Sequence, residues 1–192
     1  QGIIITETKR KGKTMEVYQA IQNRRSVRAY NPKPIPEATL HKVLEALRLA
    51  PSACNFQPWR FLLVQDPQLR QQVAAASCNQ AWMAEAPVIV VACGTPAKAY
   101  KKMGGYGNSI DIDLAIALDH LSLAAVAEGL GTCWIGAFDE TAVKTLLQIP
   151  AEAKVVAMMP LGYPRSDDLN HPVKPGARKK ADEIFKINHY QG

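Results

Sequence analysis

Apolar positions along the chain alternate between helical and strand spacing. Residues 15–23 place Val17, Ala20 and Ile21 on one helical face. A second helix is predicted from Pro36, where Leu40, Val43, Leu44 and Leu47 recur at i, i+3, i+4 and i+7, and Pro51 ends it. Trp59 to Gln65 is an aromatic and β-branched run that reads as a strand, and Asp66-Pro67 then opens a short helix through about Ala76. Val88 to Cys93 reads as a fully buried strand, Asp139 as the cap of a helix to about Leu147, and Lys154 to Leu161 as a third strand. The remainder is a Pro-rich carboxyl segment.

The helix predicted from Ser109 differs from the others. Ile112, Ala115, Ile116, Leu118, Leu121, Leu123, Ala124, Ala125 and Val126 occupy nearly every side of it up to Gly129 or Gly131. A helix apolar all round must be covered all round. A chain of 192 residues has few neighbours to spare for that, so a second subunit is expected to bury one side. The order of elements does not alternate into βαβ units, which favours an α+β sandwich over a doubly wound parallel sheet.

Composition sets bounds on this picture. With 47% hydrophobic and 21% charged residues the chain is an ordinary globular one of single-domain size. Its longest apolar run, Pro87 to Gly94, is far short of the ~20 residues of a spanning helix. No secretory signal is recognisable at the amino end, so a cytoplasmic protein is expected. The net charge of +6 sits at the two ends. Lys9, Arg10, Lys11 and Lys13 against Glu7 give +3 in residues 1–14, and Lys174, Arg178, Lys179, Lys180 and Lys186 against Asp182 and Glu183 give +3 in residues 171–192. A nucleic-acid binder would carry a basic stripe along a folded face instead. Cys54, Cys78, Cys93 and Cys133 form no C-x-x-C, and the four histidines no H-x-x-x-H, so no metal is expected and each cysteine reads as a small buried apolar residue.

Common catalytic signatures are missing. There is no P-loop, no G-x-S-x-G and no H-E-x-x-H, and the glycines at 104, 105 and 107 do not extend to a dinucleotide fingerprint. What remains is rich in anion and amide donors. Arg24-Arg25-Ser26-Val27-Arg28-Ala29-Tyr30 supplies guanidinium forks and a hydroxyl, which suit a phosphate. Alone, such a stretch reads more readily as a solvated basic turn. Pro51-Ser52-Ala53-Cys54-Asn55-Phe56-Gln57-Pro58-Trp59 brings two amides whose donor and acceptor edges match a pyrimidinedione, or cap their own turn. Gly129-Leu130-Gly131-Thr132-Cys133-Trp134-Ile135-Gly136-Ala137-Phe138 combines close-approach glycines with a large aromatic, as a loop lying along a flat cofactor requires.

Taken in order and spacing with A-P-V-I-V-V and the late G-x-x-K-K-A-D-E-I-F, these motifs resemble the FMN-dependent nitroreductase family from about Met15 to Tyr190. The resemblance implies a sandwich with a central mixed, mainly antiparallel sheet flanked by helices, in an intertwined homodimer with FMN at the subunit interface. It implies one domain over residues 15–192, with residues 1–14 as an extension and about 163–192 as a segment wrapping the partner.

The resemblance also implies site residues. Arg24, Arg25, Ser26 and Arg28 match the family's phosphate and pyrimidine contacts, with Arg178 joining the phosphate. Pro51, Ser52, Ala53, Asn55 and Gln57 match the loop that reaches the flavin from the opposite subunit. Asn79 falls where an amide lies near the isoalloxazine, and Trp134, Ile135 and Gly136 lie beside the flavin's reactive edge, with the Gly136 backbone near N5. No side-chain acid is required, because the redox chemistry belongs to the cofactor. Only the short stretch Thr95 to Asn108 stands where larger members insert a lid, and Tyr100, Met103 and Tyr106 are its candidates for lining a substrate pocket. Lys180 stands where the family commonly has a proline. The implied activity is a ping-pong NAD(P)H reductase of nitroaromatics, quinones or similar flat acceptors, with NADH or NADPH as co-substrate. Other flavin chemistry (dehalogenation, enone reduction, flavin breakdown) and a non-catalytic flavin-binding module are the alternatives.

Overall fold

A computed structural model describes residues 15–105 and 107–190. Two helices open the fold, α1 (Val17–Asn23) and, after the short strand β1 (Tyr30–Asn31), α2 (Glu37–Arg48). Strand β2 (Trp59–Val64) leads into α3 (Pro67–Ala76), whose N-cap Asp66 accepts from the Leu69 N–H at 2.8 Å. Strand β3 (Val88–Gly94) follows, then the long helix α4 (Ile110–Ala127), β4 (Gly131–Thr132) and α5 (Glu140–Leu147). Asp139 caps α5 by accepting from the Ala142 N–H at 3.0 Å. Strand β5 (Lys154–Pro164) and the single turn α6 (Ala181–Ile184) complete the chain.

Strand β5 organises the sheet. It pairs antiparallel with β3, which pairs antiparallel with β2, while β1 and β4 add antiparallel to the later part of β5. One parallel bridge, Ser26 to Thr132, joins the segment after α1 to β4. The α+β sandwich expected from the sequence is the fold found.

Alternation along β3 explains the layers. Val88, Val90 and Ala92 face α2 and α4, where Val43, Leu47, Leu114, Leu118 and Leu121 bury against them with Ala157, Met159 and Leu161 of β5. Ile89, Val91 and Cys93 face the opposite side and pack with Val73 of α3, Val143 of α5 and Met158. Successive strand side chains point to opposite faces, so a strand covered on both faces reads as an unbroken apolar run. Helices therefore lie on both faces of the sheet, with α1 laid against α4.

Three expectations need correction or extension. Strands β1 and β4 are two residues each, too short to leave a periodic signal, and β5 runs three residues beyond the predicted Leu161. Cys93 and Cys133 are buried, but Cys54 and Cys78 are exposed. Both exposed cysteines hold left-handed backbone, with φ of 52° and 54°, in tight turns that keep their side chains at the surface. The extension over residues 1–14 and the candidate Tyr106 lie outside the described residues.

Candidate functional site

The candidate residues fall into two groups, one built on the segment after α1 and the strip that follows β4, the other at the start of α4. The first group is built on the segment after α1. Val27 donates its N–H to the Thr132 carbonyl at 2.9 Å, beside the Ser26–Thr132 bridge, and this fastens Arg24 to Arg28 along β4. The fit depends on Gly131, because a Cβ there would stand 2.6 Å from Val27 Cγ2 and 3.1 Å from Pro164 Cγ. Val27 itself is buried, so Ser26 and Arg28 on either side of it are turned outward and exposed.

From Thr132 the chain continues as an extended strip. Ile135 exchanges both backbone hydrogen bonds with Met158, at 2.9 and 3.0 Å, which buries Cys133 and Ile135 and leaves Trp134 and Gly136 on the open side. Trp134 is 45% exposed despite its size. A Cβ on Gly136 would lie 3.6 Å from the Trp134 indole nitrogen, so the two residues share one surface. The Asp139 N–H donates to the Ala76 carbonyl at 2.9 Å, which ties this strip to the α3 exit where Asn79 sits exposed in left-handed backbone with φ of 55°.

Charge marks this first group. Burial, then the charge of Arg24, then that of Arg178 lower the pKa of the Arg25 guanidinium, so the charge of the carboxyl segment is felt at the cations that follow α1. Burial pushes the Cys133 thiol up, while Arg28, Ser26 and Arg24 oppose the shift, so the thiol lies under the same cluster. Arg25 spends its hydrogen bonds on the carbonyls of Arg24 and Gln22, and Arg178 spends one on Ala177 at 2.7 Å. None of Arg24, Arg25, Arg28 or Arg178 pairs with a carboxylate among the described residues. Four guanidiniums with a neighbouring hydroxyl and no internal counter-ion form a donor set that fits a phosphate.

The second group lies at the start of α4. Pro51, Ser52, Ala53, Asn55 and Gln57 form a tight turn closed by Gln57 N–H to Ser52 Oγ at 2.9 Å and Gln57 Nε2 to Asn55 Oδ1 at 3.1 Å. Cys54, Asn55 and Gln57 all hold positive φ, between 48° and 54°. Outside glycine such backbone is strained, and it persists only where its surroundings hold it. The Ala53 N–H donates to Asp113 Oδ1 at 2.9 Å. Half-buried Tyr100 is bound through Ser109, whose Oγ donates to Asp113 Oδ2 at 2.7 Å, and Met103 follows in the same loop, with its N–H donating to the Gly107 carbonyl at 3.1 Å. Gln57 also lines a cavity of about 390 Å³ with Phe56, Trp59 and Lys98.

Asp113 and Ser109 were not singled out in the sequence. Their signal was present: two polar residues four positions apart, and so on one side of a helix whose apolar residues occupy nearly every side. Asp113 is 2% exposed and Ser109 1% exposed.

The segment after α1 and the turn at 51–57 do not meet within one chain. Asn23, at the end of α1, lines a small cavity with Val126 and Gly129 at the far end of α4, whereas Ala53 is held by Asp113 near its beginning. The thirteen steps from Asp113 to Val126 span about 20 Å of helix at 1.5 Å each. Among the described residues no set of three His, Cys, Asp or Glu is placed to hold a metal ion, and no helix is long and apolar enough to cross a membrane.

The sequence profile of the nitroreductase family matches residues 21–82 and 68–163. The NADH dehydrogenase of Thermus thermophilus is 30% identical over 80% of this chain and 89% of its own length. The 5,6-dimethylbenzimidazole synthase of Rhodospirillum rubrum is 32% identical over 79% of this chain and 82% of its own. The solved structure of the NADPH:FMN oxidoreductase from Vibrio harveyi, complexed with NAD+, superposes with a TM-score of 0.78 at 27% identity, covering 92% of this chain and 78% of that one. Fold, motif order and profile agree, and the chain belongs to the nitroreductase family.

Proposed function

We propose that this protein is an FMN-dependent NAD(P)H oxidoreductase that reduces nitroaromatics, quinones or similar flat acceptors. The observation that carries the reading is the cluster of Arg24, Arg25, Arg28 and Arg178 without a counter-ion, at the mouth of the open strip that carries Trp134 and Gly136. When bound, FMN supplies hydride acceptance and release, and the chain supplies position and charge. The arginines and Ser26 hold the phosphate. Asn79, Trp134 and Gly136 border the ring, buried Ile135 supports them from behind through its two bonds to Met158, and no described group accepts from the Gly136 N–H, which stays available there. Nicotinamide and acceptor use one surface in turn, which predicts parallel initial-velocity lines.

The site is completed by a second subunit in this reading. Pro51, Ser52, Ala53, Asn55 and Gln57 lie about 20 Å of helix away from the arginine segment, too far to share one phosphate with it within one chain. The unfinished surface supports a homodimer. Val17, Tyr18 and Ile21 of α1, Ile112 of α4, and Ile184, Phe185, Ile187 and Tyr190 of the carboxyl end are all more than 40% exposed. Apolar area of this extent is what a partner covers. Residues 15–192 then act as one domain, with 163–192 wrapping the partner and Tyr100 and Met103 bordering the acceptor.

The visible spectrum of the purified protein, recorded anaerobically before and after NADPH, tests this directly. A yellow protein that bleaches is expected. A yellow protein that stays yellow overturns the nicotinamide-dependent reductase, and a colourless protein that takes up no added FMN overturns the site. The synthase relative at 32% identity favours one second reading, flavin chemistry other than simple acceptor reduction.

A further inference from the structure

Asp113 joins two segments that are distant in sequence. Its Oδ1 accepts from the Ala53 N–H at 2.9 Å, and its Oδ2 accepts from the Ser109 hydroxyl at 2.7 Å. Having donated its proton to Asp113, the Ser109 oxygen accepts from the Tyr100 N–H at 3.2 Å, and the Ser109 N–H donates to the Tyr100 carbonyl at 2.8 Å. Tyr100 and Ser109 are thus joined to each other on the same carboxylate that holds the strained turn at 53–57. No cation is paired with Asp113 among the described residues, so its two oxygens are spent on these two donors.

We propose that Asp113 is a positioning residue that fixes the flavin-facing turn at 51–57 and the acceptor-facing segment at 100–109 as one unit. This rests on the functional reading given above. Within it, a carboxylate that touches neither cofactor nor acceptor sets where both are met. One oxygen serves each segment, so the two effects are separable: removing the Ser109 hydroxyl releases the acceptor side alone, and removing the carboxylate releases both. The left-handed backbone of Cys54, Asn55 and Gln57 makes the turn dependent on its anchor.

The test uses the purified full chain as Ser109→Ala, Asp113→Asn and Asp113→Ala, read by amide hydrogen exchange, FMN affinity and steady-state kinetics. Ser109→Ala is expected to speed exchange in 100–109 only, to raise the KM for the acceptor, and to leave the FMN Kd as in the wild type. Asp113→Asn keeps an amide oxygen for the Ala53 N–H and is expected to behave like Ser109→Ala. Asp113→Ala is expected to speed exchange in both segments and to weaken FMN by about tenfold or more, as loss of a charge-assisted hydrogen bond does. Unchanged exchange at 52–57 in a folded Asp113→Ala, or an unchanged FMN Kd in it, overturns the proposal. If Asp113→Ala does not fold, a Ser109→Ala with wild-type exchange at 100–109 and wild-type acceptor KM overturns it. If the wild type binds no FMN, the functional reading has failed, and exchange in the variants still decides whether Asp113 fastens the two segments.

Discussion

Arg25, just after the first helix, feels the positive charge of Arg178 near the carboxyl end, 153 positions on. Burial, then Arg24, then Arg178 make the Arg25 guanidinium less basic than usual, so the fold holds these charges together against their repulsion. An anion placed among them relieves that repulsion, and removing one cation relieves it too. Arg178→Ala should therefore weaken FMN by about 1.5–3 kcal/mol, the range for hydrogen bonds to charged groups. It should not lower the melting temperature of the flavin-free protein. Titration of FMN at low and high salt checks both parts, since the wild type should lose more affinity with salt than the variant. An Arg178→Ala protein with wild-type affinity would remove the carboxyl segment from the site.

Gly131 is the contact on which the arginine segment is seated. A methyl group there meets Val27 Cγ2 at 2.6 Å and Val27 Cβ at 2.9 Å, both in the buried interior. Gly131→Ala should cost about 1–3 kcal/mol, the range for overpacked cores, and should weaken FMN further by displacing Ser26 and Arg28. Gly136→Ala is the contrast, since its Cβ meets only the Trp134 indole at 3.6 Å, an ordinary contact. Thermal melts of the two variants should rank them in that order.

The four thiols should separate into two pairs. Cys54 and Cys78 are exposed, while Cys93 and Cys133 are buried and burial pushes the Cys93 thiol up to about 11. Since the thiolate is the reactive form, a chromogenic disulfide near neutral pH should label two cysteines in the native protein and all four after denaturation. Mass spectrometry of the labelled peptides should find positions 54 and 78. Bound FMN should slow Cys54, which sits inside the turn assigned to the flavin.

Glu140 links α5 to the central strand. It accepts from the Val155 N–H at 3.0 Å and pairs with Lys144 at 2.9 Å, and these contacts, the first most of all, hold its pKa below the ordinary 4.5. A carboxyl with a depressed folded pKa adds stability above its unfolded pKa, and that contribution is lost as pH falls through the folded value. Glu140→Gln should flatten the acid limb of the stability curve below about pH 4.5 while leaving its shape above pH 6 unchanged. Denaturant midpoints across pH 3 to 7 would show it, and an unaltered acid limb would count against the contact.

Most helices and the three long strands were legible because each is fixed by its own neighbours in sequence. Asp66 and Asp139 cap the helices that follow them by accepting from N–H groups three residues on, and the strand at Val88 announces its double burial by an unbroken apolar run. Strands β1 and β4 were not legible, since two residues carry no period, and each exists because β5 offers it an edge. The exposure of Cys54 and Cys78 has a related cause. Residue type favours burial of a thiol, but left-handed turn geometry decided where these two point.

By itself the sequence determined the kinds of donor available: guanidiniums after α1, amides in the turn before β2, and small residues next to Trp134. It also determined the family, because that is carried by motif order. Tertiary structure alone decided which donors meet. Arg178 joins Arg25 because the carboxyl segment returns to the α1 end, and Ala53 joins Tyr100 because Asp113 presents one oxygen to each side. Helix α4, rigid and about 27 Å long, holds the two halves of the candidate site apart. Sequence spacing records which groups a chain owns; a helix of fixed rise and a sheet of fixed register set the distances between them.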